Sequence, residues 1–173
     1  MRLFIAVNFS REMKESLIDA IGRLRAVSSK GNFTRAANLH LTLAFIGETD
    51  RTDDISAVMK DAAAQTPAFD ISLGDEGHFR RESGDIRWVG IGEGASELSK
   101  LSSRLTSGLI AVGFDVDRRF TPHITLGREV SAPRRADTAP KPAESRVDKI
   151  SLMRSDRING TLKYTEIFSA PLI

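Results

Sequence analysis

Cysteine is absent from the 173 residues, which excludes disulfides, thiolate metal sites and a cysteine nucleophile. The absence fits a reducing compartment, and the cytoplasm is the expected location. Long apolar runs are missing too: none approaches the roughly 18 residues of a transmembrane helix, so no membrane partner is expected. The opening Met1–Phe9 is apolar but short and alternating, and reads as a strand rather than an export signal. Charge of one sign is in short supply, with 25 Lys and Arg against 23 Asp and Glu, although the pI is about 9.1. That balance permits an anionic partner without identifying one, so the placement of the arginines informs more than their number. No glycine-rich loop runs into Lys-Ser or Lys-Thr, so ATP-driven chemistry has no visible nucleotide site.

Histidine is scarce as well, with three in the chain, and two of them occupy matching patterns. Asn38-Leu39-His40-Leu41-Thr42-Leu43-Ala44-Phe45 shares His-apolar-Thr-Leu with Pro122-His123-Ile124-Thr125-Leu126-Gly127-Arg128. Alternation assigns Leu39, Leu41, Leu43 and Phe45 to a core face, and His40, Thr42 and Ala44 to the other. By the same rule Ile124 and Leu126 turn inward, His123 and Thr125 outward. If the two strands lie side by side, two imidazoles and two hydroxyls reach one cleft. A repeated strand without chemistry is the competing reading. Arg128 has the opposite parity from His123, and a bulge or strand end at Gly127 is what would turn it back toward the cleft.

Around these motifs the chain alternates strand and helix signals. Ser10 caps a helix over 11–27, with Met13, Leu17, Ile21 and Leu24 as its stripe. Ser28–Asn32 ends it, and Phe33–Leu39 leads to the first motif strand, which Gly47 closes. A second helix, capped by Asp50 or Thr52, buries Ile55, Val58, Met59, Ala62 and Ala63. A strand over 68–73 precedes a Gly74–Gly77 turn, with His78 just beyond it. Arg87–Ile91 forms a strand, 95–111 a helix, and Val112–Val116 begins another strand. Residues 131–146, with Pro133, Pro140, Pro142, Arg134, Arg135 and Lys141, read as a solvated connection. Val147–Met153 and Thr161–Phe168 form a hairpin whose loop is longer than a two-residue turn. Together these signals give an α+β protein of two similar lobes, antiparallel sheets covered by helices, with a central cleft.

The motifs His40–Gly47 and Arg119–Arg128, with Leu152, Ser155, Gly160 and Tyr164, are similar to those of bacterial RNA 2′,3′-cyclic phosphodiesterases. These are two-histidine phosphoesterases formerly described as 2′-5′ RNA ligases, and the resemblance extends over nearly the whole chain. It implies a two-lobed fold and cofactor-free, metal-independent chemistry on a cyclic phosphate at an RNA end. His40 and His123 become the catalytic residues, Thr42, Thr125 and Arg128 the phosphate contacts. Phe45, His78, Arg119 and Tyr164 are candidates for the substrate rim, with a plain loop histidine the simpler reading of His78. RNA with a 2′,3′-cyclic phosphate end is the implied partner, small cyclic nucleotides a further one. Reversible 2′-5′ RNA ligation or cleavage, and an RNA-end binding module of weak turnover, are the alternatives.

The physical case is consistent with these roles. Water needs a base to attack phosphorus, and the departing oxygen needs an acid; histidine does either near neutral pH. His123 is assigned as the base and His40 as the acid, and the reverse is chemically reasonable. Threonine hydroxyls donate to phosphate oxygens without adding charge, and the arginine fork matches phosphate. A ligated metal would consume the lone pairs that the acid and base require.

Overall fold

The computed structural model describes residues 1–133 and 137–173. Along the chain lie β1 (Arg2–Val7), α1 (Arg11–Val27), β2 (Lys30–Phe33), β3 (Leu41–Glu48), α2 (Thr52–Ala64), β4 (Phe69–Phe79) and β5 (Asp85–Ile91). They are followed by α3 (Ala95–Ala111), β6 (His123–Ser131), β7 (Glu144–Val147), β8 (Lys149–Ile158) and β9 (Thr161–Pro171). The strands form two antiparallel sheets, ordered β3-β1-β8-β9 and β2-β6-β5-β4-β7. Helices α2 and α3 cover the first, and α1 covers the second. This is the α+β, two-lobed arrangement around a cleft. The lobes exchange elements: α1 follows a strand of the first sheet yet packs on the second, and α3 does the converse. One continuous buried cluster runs through both, from Leu3 and Ile5 to Val89 and Ile124.

Local chemistry accounts for most elements. Ser10 Oγ accepts from the Met13 amide at 3.2 Å, and Glu12 sits in the first turn of α1, where a carboxylate meets the positive end of the helix dipole. Helix α2 is capped by neither Asp50 nor Thr52. Arg51 takes the N-cap without a side-chain bond, and Asp53 and Asp54 supply first-turn charge instead. Among the described residues no helix is long and apolar enough to cross a membrane.

Further expectations are corrected. The motif strands do not pair: β3 belongs to the first sheet and β6 to the second. Lys30–Asn32, read as part of the helix end, and Phe33, read as a lead-in, form an edge strand on β6. Gly74–Gly77 is no turn, since β4 runs through it. Those glycines serve close packing: a Cβ on Gly74 would meet the Ile91 backbone at 2.9 Å, and one on Gly77 the Trp88 ring at 2.2 Å. The final hairpin closes tightly on Asn159-Gly160, both at positive φ (51° and 76°), as a two-residue Asn-Gly turn requires. In addition, Val112–Val116 forms no strand. Of the proline-rich connection, Arg134 and Arg135 lie outside the described residues. Thr138 is buried and hydrogen-bonds Glu76 at 2.6 Å, so that part is tied down rather than merely solvated.

Candidate active site

Each motif histidine is held the same way. His40 Nδ1 donates to the Asn38 carbonyl at 2.7 Å, and His123 Nδ1 donates to the Thr121 carbonyl at 2.7 Å. A carbonyl can only accept, so each ring carries its hydrogen on Nδ1 and is left with Nε2 for chemistry. The rings differ at Nε2. His40 Nε2 lies 2.9 Å from Thr42 Oγ1, whose hydroxyl donates to it when the ring is neutral. His123 Nε2 has no such partner among the described residues. Asn38, which opens the first motif but has no role assigned to it from sequence, is buried, and its side-chain amide donates to the Leu162 carbonyl at 3.0 Å. It thereby ties the His40 support to β9.

The strands then do something that alternation hides. On β3, Ala44 faces Ile5 and Thr42 faces Ala6, which leaves Leu43 as an extra residue. On β6, Gly127 faces Arg87 and Thr125 faces Trp88, which leaves Leu126 extra in the same place. An extra residue flips the parity of every later position in the strand. Leu43 and Ala44 are consequently both buried, and Phe45 turns out at 51% exposure, so its assignment to the core face is corrected. Leu126 and Gly127 are buried likewise, and Arg128 emerges into the cleft. The turn comes one residue before Gly127. Each bulged carbonyl finds a donor: Leu43 O accepts from buried Ser102 Oγ at 2.7 Å, and Leu126 O from the Thr34 amide at 2.9 Å. Without those partners a buried carbonyl would cost about 1–3 kcal/mol.

Aromatic rings back both histidines. Phe4 and Tyr164 lie 4.9 and 5.1 Å from the His40 ring, and Phe79 and Trp88 lie 5.5 and 6.0 Å from that of His123. Burial against these groups pushes His40 below the ordinary histidine value of 6.5. The Asn38 carbonyl opposes this, and the charges of Arg128 and His123 add to it. Burial raises the Tyr164 phenol, against the pull of Arg128 and Arg2. Arg128, carried by the second sheet, therefore acts electrically on groups of the first. No three His, Asp or Glu side chains converge as a metal set among the described residues.

The cleft is a cavity of about 950 Å³ lined by His40, Thr42, His123, Thr125, Arg128, Phe45 and Tyr164. Two expected rim residues lie elsewhere. His78 sits on β4 opposite Arg87, one position off the parity of Phe79, and so faces away from His123. Arg119 is 91% exposed and bound to Asp117 at 2.7 Å, outside the lining. Sequence reasoning missed Arg2, Arg35, Arg81 and Arg157, which line the cleft with Arg128. None of the five makes an ion pair among the described residues, whereas seven arginines elsewhere do: 11, 23, 51, 87, 119, 146 and 154. Five arginines against the two carboxylates Glu48 and Glu129 in one cleft lining favour an anionic occupant.

Two facing sheets that each carry a His-x-Thr strand to a common, arginine-lined cleft define the class of two-histidine phosphoesterases. The family model described as the 2′-5′ RNA ligase superfamily matches residues 13–159. The RNA 2′,3′-cyclic phosphodiesterase of Escherichia coli K12 is 31% identical over 96% of this chain and 93% of its own. That of Thermotoga maritima is 32% identical over 74% and 70%. The crystal structure of E. coli LigT complexed with 3′-AMP superposes with a TM-score of 0.79 at 30% identity, covering 99% of this chain and 97% of the other. The chain belongs to the RNA 2′,3′-cyclic phosphodiesterase (LigT-like) family of the 2H phosphoesterases. Membership supports an enzyme with 2H-phosphoesterase activity in RNA processing.

Proposed function

We propose that the protein hydrolyses the terminal 2′,3′-cyclic phosphate of RNA to a 2′-phosphate. The observation that carries this reading is the matched pair of imidazoles, both fixed through Nδ1 on a backbone carbonyl and both left with Nε2 toward one cleft. Thr42 and Thr125 donate to the non-bridging oxygens, and Arg128 balances charge that builds at phosphorus. His123 Nε2, with no partner among the described residues, accepts the proton of the attacking water. The bond from phosphorus to the 3′ oxygen breaks, and His40 Nε2 delivers a proton to that oxygen. Burial disfavours the charged form of His40 in the empty cleft, so an anionic substrate would help it hold the proton that it delivers. That same burial favours the reverse assignment, with His40 as base. A substrate carrying sulfur in place of the departing 3′ oxygen separates the two, since a thiolate leaves without an acid: only the variant lacking the acid regains activity on it.

The curated relatives bear the name RNA 2′,3′-cyclic phosphodiesterase, which supports the choice of substrate. The superfamily description keeps 2′-5′ ligation or cleavage as the second reading, since it uses the same phosphate site. The test is product analysis. A labelled cyclic-phosphate RNA, incubated without nucleotide, is expected to yield a 2′-phosphate end by chromatography against both isomers. A predominant 3′-phosphate overturns the orientation. Absence of product at all lengths and pH values favours an RNA-end binding module.

A further inference from the structure

The second motif strand carries a carboxylate into a cleft lined mainly by cations. Between Gly127 and Val130, β6 has one residue more than β5, and between Arg128 and Ser131 one more than β2. The turning residue is Glu129, at φ 52°; the other non-glycine residue at positive φ among those described is Asn159, in its hairpin turn. Strict alternation after Arg128 would send Glu129 to the far face. The extra residue keeps both side chains on the cleft wall instead. Gly84 locks the arrangement, since a Cβ there would stand 2.6 Å from the Glu129 carbonyl carbon. Left-handed backbone is costly for a residue with a side chain, and glycine would avoid that cost. A side chain retained at a strained position beside a phosphate contact calls for a role in the site.

The carboxylate does not neutralise Arg128, which makes no ion pair among the described residues. Asn32, opposite Arg128 on β2, donates its side-chain amide to Glu129 Oε2 at 2.8 Å. A hydrogen bond from a neutral amide holds the carboxylate in place and leaves its charge uncompensated. Glu48, the other carboxylate in the lining, lies 3.4 Å from the Met1 amine. Glu129 thus stands as a fixed negative charge next to the guanidinium.

We infer that Glu129 makes the phosphate site prefer a singly charged phosphodiester to a doubly charged phosphomonoester. A fixed charge acts on each unit of ligand charge separately, so the dianion is repelled by twice the free energy. Arginines alone rank the two the other way, because every cation attracts the dianion more. Hydrolysis of a cyclic phosphate turns a monoanion into a monoester whose second proton leaves near pH 6. An unmoderated cluster of arginines would then hold product above substrate. The inference rests on the hydrolytic reading above and adds what lets the product go.

The test measures affinity without turnover, by fluorescence anisotropy at about pH 8 and low salt, where screening is weak. One short RNA ends in a 2′-phosphate, and the other carries the same phosphate as its methyl ester, with one charge less. Both are built on a 3′-deoxy terminal nucleotide, which cannot cyclise. Glu129→Gln removes the charge and retains an oxygen for Asn32, so the strand turn is kept. At about 7 Å in water-like surroundings a unit charge is worth roughly threefold. Glu129→Gln should thus tighten the methyl ester roughly threefold and the free phosphate by the square, roughly tenfold. Glu15→Gln makes the same change of net charge outside the cleft, in α1, and should move neither RNA by more than about twofold. Equal tightening of both RNAs by Glu129→Gln, no change in either, or a weaker free phosphate overturns the inference. The charge-dependent gain beside inactivity on cyclic-phosphate RNA would uphold it and refute the hydrolytic reading alone.

Discussion

Arg128→Gln separates a cation that acts on the reaction from one that merely attracts RNA. The guanidinium is exposed yet lines the cleft, and its charge lowers His40 across the gap between the sheets. A unit charge about 4 Å from another is worth roughly 1 kcal/mol in water and about 4 at the effective dielectric of a protein surface. A side chain at the mouth of a half-open cleft falls between these, near 2–3 kcal/mol, so kcat/KM should fall roughly 30- to 150-fold. Loss of a single preorganised donor elsewhere has a comparable cost, about 10² to 10³. The matched control is Arg119→Gln, whose parent is equally basic but sits outside the cleft and is bound to Asp117. Its rate should change by less than about twofold. The second readout is the titration of His40 followed by NMR in the empty protein. Removing a like charge should move it up, toward 6.5. Equal losses for both variants that vanish at high salt, with the His40 titration unmoved, would refute the reasoning and leave Arg128 a general attractor.

Removal of either imidazole should lower single-turnover hydrolysis by about 10² to 10⁴ with the fold retained by circular dichroism. His40→Gln is the cleaner variant at the first site, because that ring fills the space between Phe4 and Tyr164. Wild-type rates from either variant would remove that residue from the acid-base pair. Stability should fall as the solution is acidified through the histidine range. With His40 held below 6.5 in the fold, the unfolded chain binds the extra proton first, so this contribution is complete above 6.5 and lost as pH drops through the folded value. Urea midpoints between pH 8 and 5 should therefore decline less for His40→Gln than for the wild type; identical profiles would contradict the burial argument. Gly77→Ala should destabilise by about 1–3 kcal/mol and shift Trp88 fluorescence, since its Cβ would sit 2.2 Å from the indole. Gly22→Ala, with nothing within 4 Å of its Cβ in α1, should instead stabilise by up to about 1 kcal/mol. Equal melting temperatures for the two would show that the indole moves freely.

Local pattern carried much of this protein's architecture and the heart of its site. The stripe of Met13, Leu17, Ile21 and Leu24 behind Ser10 yields α1 with its cap, because helix periodicity and capping need no distant partner. The doubled His-x-Thr alternation likewise put His40 and Thr42, and His123 and Thr125, on cleft faces. Tertiary structure decided the course of each strand beyond its motif. The extra residues at Leu43 and Leu126 exist only opposite β1 and β5, and their carbonyls are satisfied by Ser102 and Thr34 from distant parts of the chain. A parity flip of that kind leaves no local signal, yet it brings Phe45 and Arg128 into the cleft. Gly74 and Gly77 looked like a turn because glycine relaxes the backbone, whereas here they make room for the neighbouring strand and the Trp88 ring. His78 and Arg119 had suitable chemistry in sequence and the wrong face or partner in space. Which arginines stay unpaired is a property of the assembled cleft, since a charge is neutralised by whatever the fold places within reach.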